Sequence, residues 1–318
     1  MATSTSLRMD EDRAAPRPTK AMTSTRVEDR WANRDWLPAI GLLGPNIAMY
    51  SVFILIPIVL AVALSFTSWG LVGLPHFIGL GNYRAMFSDP LVWTSIKTTL
   101  LFLCLGAVPT IILGMLLAIL VNVQFRFIAL MRTLYFVPAV VSFAASAVLW
   151  TWIYRPGEGI LDFLLYKVGI VGPAWLGSTT YALPALAIIN IWLTLPVAII
   201  LYLAALQRIP ESLMEAAMLD GAGAFSRLRF IIIPSLRNMT IVVAIISILS
   251  FSNGSFDLVN IMTAGGPINA TTTFIYYIYT VTFAQIRLGY AAALSLAQLL
   301  LFVLLLGGGR LLYRAVNR

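Results

Sequence analysis

The sequence predicts an all-α integral membrane protein with six transmembrane helices, and three observations carry that reading. Of 318 residues, 60% are hydrophobic and 11% charged, with a mean hydropathy of +0.90; a soluble domain has about 45–50% apolar and about 25% charged residues. The apolar residues gather into runs that reach the length of about 20 needed to cross a bilayer as helix. Lys and Arg concentrate in alternate loops, as orientation in a membrane requires. The net charge of +8 is therefore a topology signal and not a nucleic-acid surface.

Residues 1–36 carry seven Lys/Arg and six Asp/Glu with few large apolar residues, which predicts a disordered cytoplasmic tail. The tail has no apolar core of the kind a cleaved secretory signal needs. The spans then follow at about 39–66, 95–122, 127–153, 182–206, 239–263 and 288–309, so that 37–318 forms one six-span domain. Sixteen Lys/Arg lie in the tail, beside Arg126 and Arg132, in the 207–237 loop and after the last span. The alternate loops hold four: Arg84, Arg155, Lys167 and Arg287. Lys97 sits at a span edge. This places both termini in the cytoplasm, and an even number of spans agrees. The outer loops, 67–94, 154–181 and 264–287, are rich in Gly, Pro and aromatics, including Trp69-Gly70 and Gly265-Gly266-Pro267. They read as short ordered surface structure able to receive a partner.

Several chemistries are disfavoured. A single cysteine, Cys104, permits no internal disulfide, and a single histidine, His76, makes a histidine metal centre or triad improbable. A membrane enzyme would need paired carboxylates in a span, which are lacking. The three lysines, Lys20, Lys97 and Lys167, lack the Gly-x-x-x-x-Gly of a phosphate loop, so the chain itself is not expected to hydrolyse ATP.

The loop at 207–237 is the most informative. Pro210 and Glu211 suit a helix start, the latter through the helix dipole. Leu213, Ala216 and Ala217 share one face. Gly221 and Gly223 end that helix and turn the chain, after which Ala224 to Ile232 forms a second short helix stopping at Pro234. A small cytoplasmic helix-turn-helix knob results.

Glu215-Ala216-Ala217, Gly221, Ile231 and Pro234, flanked by Asp220 and Ala222, resemble the EAA motif of permease subunits in binding-protein-dependent ABC importers, with Ile233 where the family has Leu. Phe77-Ile78-Gly79-Leu80-Gly81-Asn82-Tyr83, Arg132-Thr133-Leu134-Tyr135-Phe136-Val137-Pro138 and Thr263-Ala264-Gly265-Gly266-Pro267 after Phe256-Asp257 are similar to stretches of the maltose and glycerol-phosphate type of carbohydrate permease. Ala205 stands where that family usually has Gly.

The resemblance implies a type I importer permease fold in a bacterial or archaeal cell membrane. It implies a second homologous permease, a dimeric cytoplasmic ATPase and an extracytoplasmic solute-binding protein as partners. No cofactor is expected in this chain; ATP and Mg would sit on the ATPase. Glu215, Ala216, Ala217, Asp220, Gly221 and Ala222 would form the surface that couples to the ATPase. For a sugar path the fifth span offers Ser252, Asn253, Gly254, Ser255 and Asp257, with Phe251 and Phe256 as ring-covering faces, and the fourth offers Asn190, Thr194 and Trp192. The same polar residues would equally serve as bonds across helices. Asp257 is expected to hold a neighbouring helix or the Gly265-Gly266-Pro267 turn. A glycerol-phosphate permease is the alternative, although a phosphate favours Arg or Lys near the midplane and the spans show neither. A secondary transporter, which would use ionisable groups in the membrane, has only Asp257 as a clear candidate.

Overall fold

The structure is a computed structural model that describes residues 36–70, 72–122, 133 and 135–316. The tail assigned to 1–36, the charges of Arg126, Arg132 and Arg318, and the start of the third span lie outside the described residues, save Trp36. The chain divides into a unit ending at Val59 and a second from Leu60 onward.

The first helix runs as α1 (Trp36–Tyr50), a π turn (Ser51–Leu55) and α2 (Ile56–Ser65). The widened turn ends two residues before Pro57. Proline has no N–H and its ring crowds the carbonyl four residues back, so a π turn accommodates it inside a continuous apolar helix.

From Thr67 the chain forms a two-stranded antiparallel hairpin, β1 (Thr67–Gly70) and β2 (Val72–Phe77), with Thr67 opposite Phe77. A short helix, α3 (Gly81–Ser88), leads to the long α4 (Pro90–Val121). The start of α4 is fixed locally: Asp89 caps it, its Oδ1 accepting the Leu91 N–H at 2.9 Å, and Pro90 fills the first turn where no donor is needed.

The third apolar run is not one continuous helix in its described part. A 3₁₀ turn (Val137–Val140) is followed by extended backbone at Val141 and Ser142, and then by α5 (Phe143–Ile153). Ser142 accepts the Ala145 N–H at 3.2 Å and caps α5. Beyond it come α6 (Ile160–Lys167), α7 (Ala182–Leu206), the knob helix α8 (Glu211–Leu219), α9 (Ala224–Arg227), a π turn (Leu228–Ile232), α10 (Ile233–Ser235) and α11 (Arg237–Met262). An 11-residue apolar helix follows, α12 (Phe274–Tyr279) continued as a π turn (Thr280–Ala284), and then α13 (Leu288–Val316). Among the described residues five helices are long and apolar enough to span a membrane: Gly41–Ser65, Pro90–Val121, Ala182–Leu206, Arg237–Met262 and Leu288–Gly308.

The second unit packs in layers along α4. Phe274, Tyr277, Tyr290 and Leu294 gather near Val92 at one end of that helix; Tyr202, Leu203, Leu236 and Val243 gather near Ala118 at the other. Between them Phe102, Leu186, Ile189, Phe251 and Leu258 bring α4, α7 and α11 together. Glycines set the spacing. A Cβ on Gly106 would lie 1.6 Å from the Phe251 ring, and one on Gly114 2.7 Å from Ala198 Cβ. With no gain from expelling water inside a bilayer, such close approach is what holds helices together.

Two of the outer loops differ from surface decoration. In 154–181 the buried Asp162 accepts the Gly157 N–H at 2.8 Å and the Trp175 indole N–H at 2.7 Å. In 264–287 the 11-residue helix buries Phe274, Tyr277 and Val281 against neighbouring helices. Too short and too tyrosine-rich to read as a span, it lies within the packed body nonetheless.

Candidate coupling knob and transport face

The knob is built as its sequence dictates, with two differences. Pro210 is extended, at φ −60° and ψ 133°, and precedes α8 instead of lying in its first turn. The second helix does not stop at Pro234: the π turn Leu228–Ile232 lets the chain continue through proline into α10, as at Pro57. Between α8 and α9 the turn is a Schellman motif. Gly221 stands at φ +79°, its N–H donating to the Met218 carbonyl at 3.0 Å, while the Ala222 N–H reaches the Ala217 carbonyl at 2.9 Å.

No residue of α8 is buried. Glu215, Ala216, Asp220 and Gly221 are exposed, and Ala217 and Ala222 half-buried. The sequence reading missed the apolar share of this surface. Leu219 is 90% exposed and Phe225 75%, with Met218 and Phe230 also open. The available signal was their position off the Leu213-Ala216-Ala217 stripe.

Helix α11 separates its polar residues onto two sides. Asn253 and Asn260 are exposed and Asp257 half-buried, spaced as one helical face. Ser252 and Ser255 lie in the packed interior, where the Ser255 hydroxyl donates to the Ser252 carbonyl at 2.8 Å. Phe251 is wholly buried on Gly106, and Gly254 is covered by the Phe143 ring. Phe251 is therefore not available as a ring-covering face. Phe256 packs edge-on against Tyr279, centroids 4.9 Å apart.

Asp257 has no hydrogen bond or ion pair among the described residues. The Gly265-Gly266-Pro267 turn, one of the two partners expected for Asp257 beside a neighbouring helix, is tied by threonines instead. Thr271 Oγ1 donates to the Gly266 carbonyl at 2.7 Å and Thr272 Oγ1 to that of Gly265 at 3.1 Å.

On α7, Asn190 is fully buried and neither its amide nitrogen nor its oxygen finds a partner among the described residues. Thr194 donates its hydroxyl to the Asn190 carbonyl at 2.7 Å, and Trp192 meets Trp150 edge-on at 5.7 Å. Thr194 also lines a cavity of about 200 Å³ with Pro138, Phe143, Val197, Ser247 and Ser250, where the 3₁₀ turn, α5, α7 and α11 converge. Ser247 and Ser250 were not singled out in the sequence, because single serines in an apolar span carry no spacing signal.

Comparison with known proteins gives the family and the fold. Residues 107–318 match the family described as binding-protein-dependent transport system inner membrane component. A probable ABC transporter permease protein of Pyrococcus horikoshii is 36% identical over 271 residues, covering 83% of this chain and 92% of that protein. The sulfoquinovosyl glycerol transport system permease protein of Agrobacterium fabrum is 35% identical, over 85% of this chain and 88% of its own. The sn-glycerol-3-phosphate transport system permease protein of Yersinia pestis is 33% identical, over 84% and 90%. A crystal structure of a bacterial alginate ABC transporter, in complex with an alginate pentasaccharide-bound periplasmic protein, superposes with a TM-score of 0.79 at 21% identity, over 91% of this chain and 98% of that one. The fold is thus that of ABC importer permeases, and the chain belongs to the family of binding-protein-dependent transport system inner membrane components.

Proposed function

We propose that this chain is one of two permease subunits of an ATP-driven importer whose solute is a sugar or sugar derivative delivered by an extracytoplasmic binding protein. The sulfoquinovosyl glycerol and alginate relatives support the solute class. The observation that carries it is the open face of α11: Asn253, Asp257 and Asn260 offer amide and carboxylate groups and no cation. Hydroxyl-rich solutes are bound by such donors and acceptors, whereas a phosphate ester calls for Arg or Lys. The glycerol-phosphate relative keeps the phosphate ester as the second reading.

In this reading the subunit does no chemistry. ATP and Mg bind to a dimeric cytoplasmic ATPase, and its closure and opening are transmitted through the knob. Glu215 pairs with a basic group of the ATPase, Ala216 and Ala217 allow close insertion, and Gly221 fixes the angle between α8 and α9. The exposed Leu219 and Phe225 add an apolar contact that a solvent-facing loop would not need.

The test is uptake into vesicles by the complete complex with its binding protein. Uptake should require hydrolysable ATP, and glycosides should compete while glycerol phosphate does not. Uptake that persists with a nonhydrolysable analogue would exclude the importer reading, and competition by glycerol phosphate alone would replace the solute class.

A further inference from the structure

At the end of the molecule opposite the knob, a pocket of about 360 Å³ opens between the β1–β2 hairpin, α3 and the start of α13. Its lining includes Ser68, Trp69, Asn82, Ile286, Arg287 and Tyr290. Transport as described above uses none of them.

Arg287 is exposed and forms no ion pair among the described residues. It is nevertheless held in place, its guanidinium 4.4 Å from the centroid of the Tyr290 ring. Tyr290 is itself fixed by donating its hydroxyl to Asp89 at 2.8 Å. A guanidinium stacked on one face still presents its N–H fork at the edge, which matches the oxygens of a phosphate. The opposite wall is also rigid: Asn82 Nδ2 donates to the carbonyls of Ser65 and Thr67 at 2.9 and 2.8 Å and pins the hairpin to the helix before it.

Position narrows the source of the oxyanion. The pocket lies where one apolar helix ends, at Ser65, and another begins, at Leu288. That is the depth at which hydrocarbon gives way to headgroups. The pocket lining includes open apolar side chains, Ile78 41% and Ile286 46% exposed. A cation beside uncovered apolar side chains at this depth complements an amphiphile better than a free ion.

We propose that this pocket binds a phosphate oxyanion carried by a phospholipid headgroup, Arg287 engaging the phosphate and the Ile78 and Ile286 rim the adjoining apolar part. Occupancy would steady Arg287 on Tyr290 and, through it, the Asp89 junction of α4, α12 and α13.

The permease complex, purified in detergent and stripped of lipid, is titrated separately with dioleoylphosphatidylglycerol, with dioleoylglycerol and with inorganic phosphate. Retained lipid is counted by mass spectrometry and the unfolding midpoint is recorded. Phosphatidylglycerol should be retained and raise the midpoint, and dioleoylglycerol, which has no phosphate, should do neither. Arg287→Gln should reduce retention at least fivefold. Ser68→Glu, which leaves Arg287 in place and adds repulsion at the mouth, should do the same, while Arg84→Gln on α3 should not. Equal retention in both pocket variants would overturn the site. Stabilisation by inorganic phosphate that Arg287→Gln abolishes, without lipid retention, would overturn the lipid as its source.

Discussion

Asp89 joins three elements with one carboxylate. It caps α4 through Oδ1, and its Oδ2 accepts the hydroxyls of Tyr277 at 2.5 Å and Tyr290 at 2.8 Å. Burial alone would raise its pKa, but these hydrogen bonds and those from the Leu91 and Val92 N–H groups outweigh it and hold the carboxyl below its ordinary 3.8. Because the folded value lies below the unfolded one, the stabilisation is complete above the unfolded value and fades as pH falls through the folded one. Hydrogen bonds to a charged group are worth about 1.5–3 kcal/mol each. Asp89→Asn should therefore lower the unfolding midpoint at pH 7, and the gap from the parent should narrow below about pH 4. A gap that stays constant into acid would show that charge is not its source. The Asp-Pro start of α4 is legible in the sequence; the tyrosines, 188 and 201 residues away, are not, since no local pattern announces a tertiary partner. Asn190 makes the opposite case. Its wholly buried amide is unpaired among the described residues, at a cost of about 1–3 kcal/mol, so Asn190→Leu should hold or raise the midpoint in thermal unfolding, and a large fall would show that a partner satisfies it in the assembled complex.

At the scale of elements, what is local in sequence was legible and what depends on packing was not. The α8 helix and its Gly221 turn follow from neighbouring residues and agree with the sequence reading, whereas Pro210 lies one residue before the helix and not in its first turn. The π turns before Pro57 and Pro234 escaped, because a proline two residues ahead announces a break in sequence whereas packing on either side keeps the helix running. The hairpin escaped too: Gly73 and Pro75 mark a turn-rich stretch, and its strand pairing is irregular between Ser68 and Gly70. Gly221→Pro should abolish uptake, and Glu215→Lys should do so by repelling the basic group proposed for the ATPase, with both proteins still reaching the membrane. At φ +79° proline cannot sit at all, its ring fixing φ near −65°. ATPase stimulation by the loaded binding protein is the measurement, and unaltered stimulation in both variants would remove the knob from the coupling path. In the 154–181 loop, Asp162→Ala strands the Gly157 and Trp175 donors. That loop should become protease-sensitive, with α4, α7 and α11 unaffected.

For the whole molecule, the question is which surface meets the solute. Orientation comes first: with the knob cytoplasmic, a cysteine at Ser178 should react with an impermeant reagent in intact cells and one at Ser226 should not, and the reverse would invert the topology. The path then follows from how α11 divides its residues. Helical periodicity alone put Asn253 and Asp257 on one face, but whether Ser252 and Ser255 belonged with them depended on which side packs. The structure gives the packed side to Phe251, Ser252, Gly254, Ser255 and Leu258, leaving Asn253, Asp257 and Asn260 open within this chain. A half-buried carboxylate turned toward lipid would cost up to about 2.5–3.5 kcal/mol at the bilayer centre, so under the proposed function this face borders a second permease or a wet path. Asn253→Ala should lower transport while leaving assembly intact, because its exposed side chain makes no hydrogen bond among the described residues. Ser255→Ala should act through packing: its hydroxyl is spent on a carbonyl one turn back, so transport should change little. Measured over a full range of sugar concentrations, normal transport by Asn253→Ala together with impaired transport by Ser255→Ala would place the solute against the other side of the helix and require α11 to unpack from α4 during each cycle.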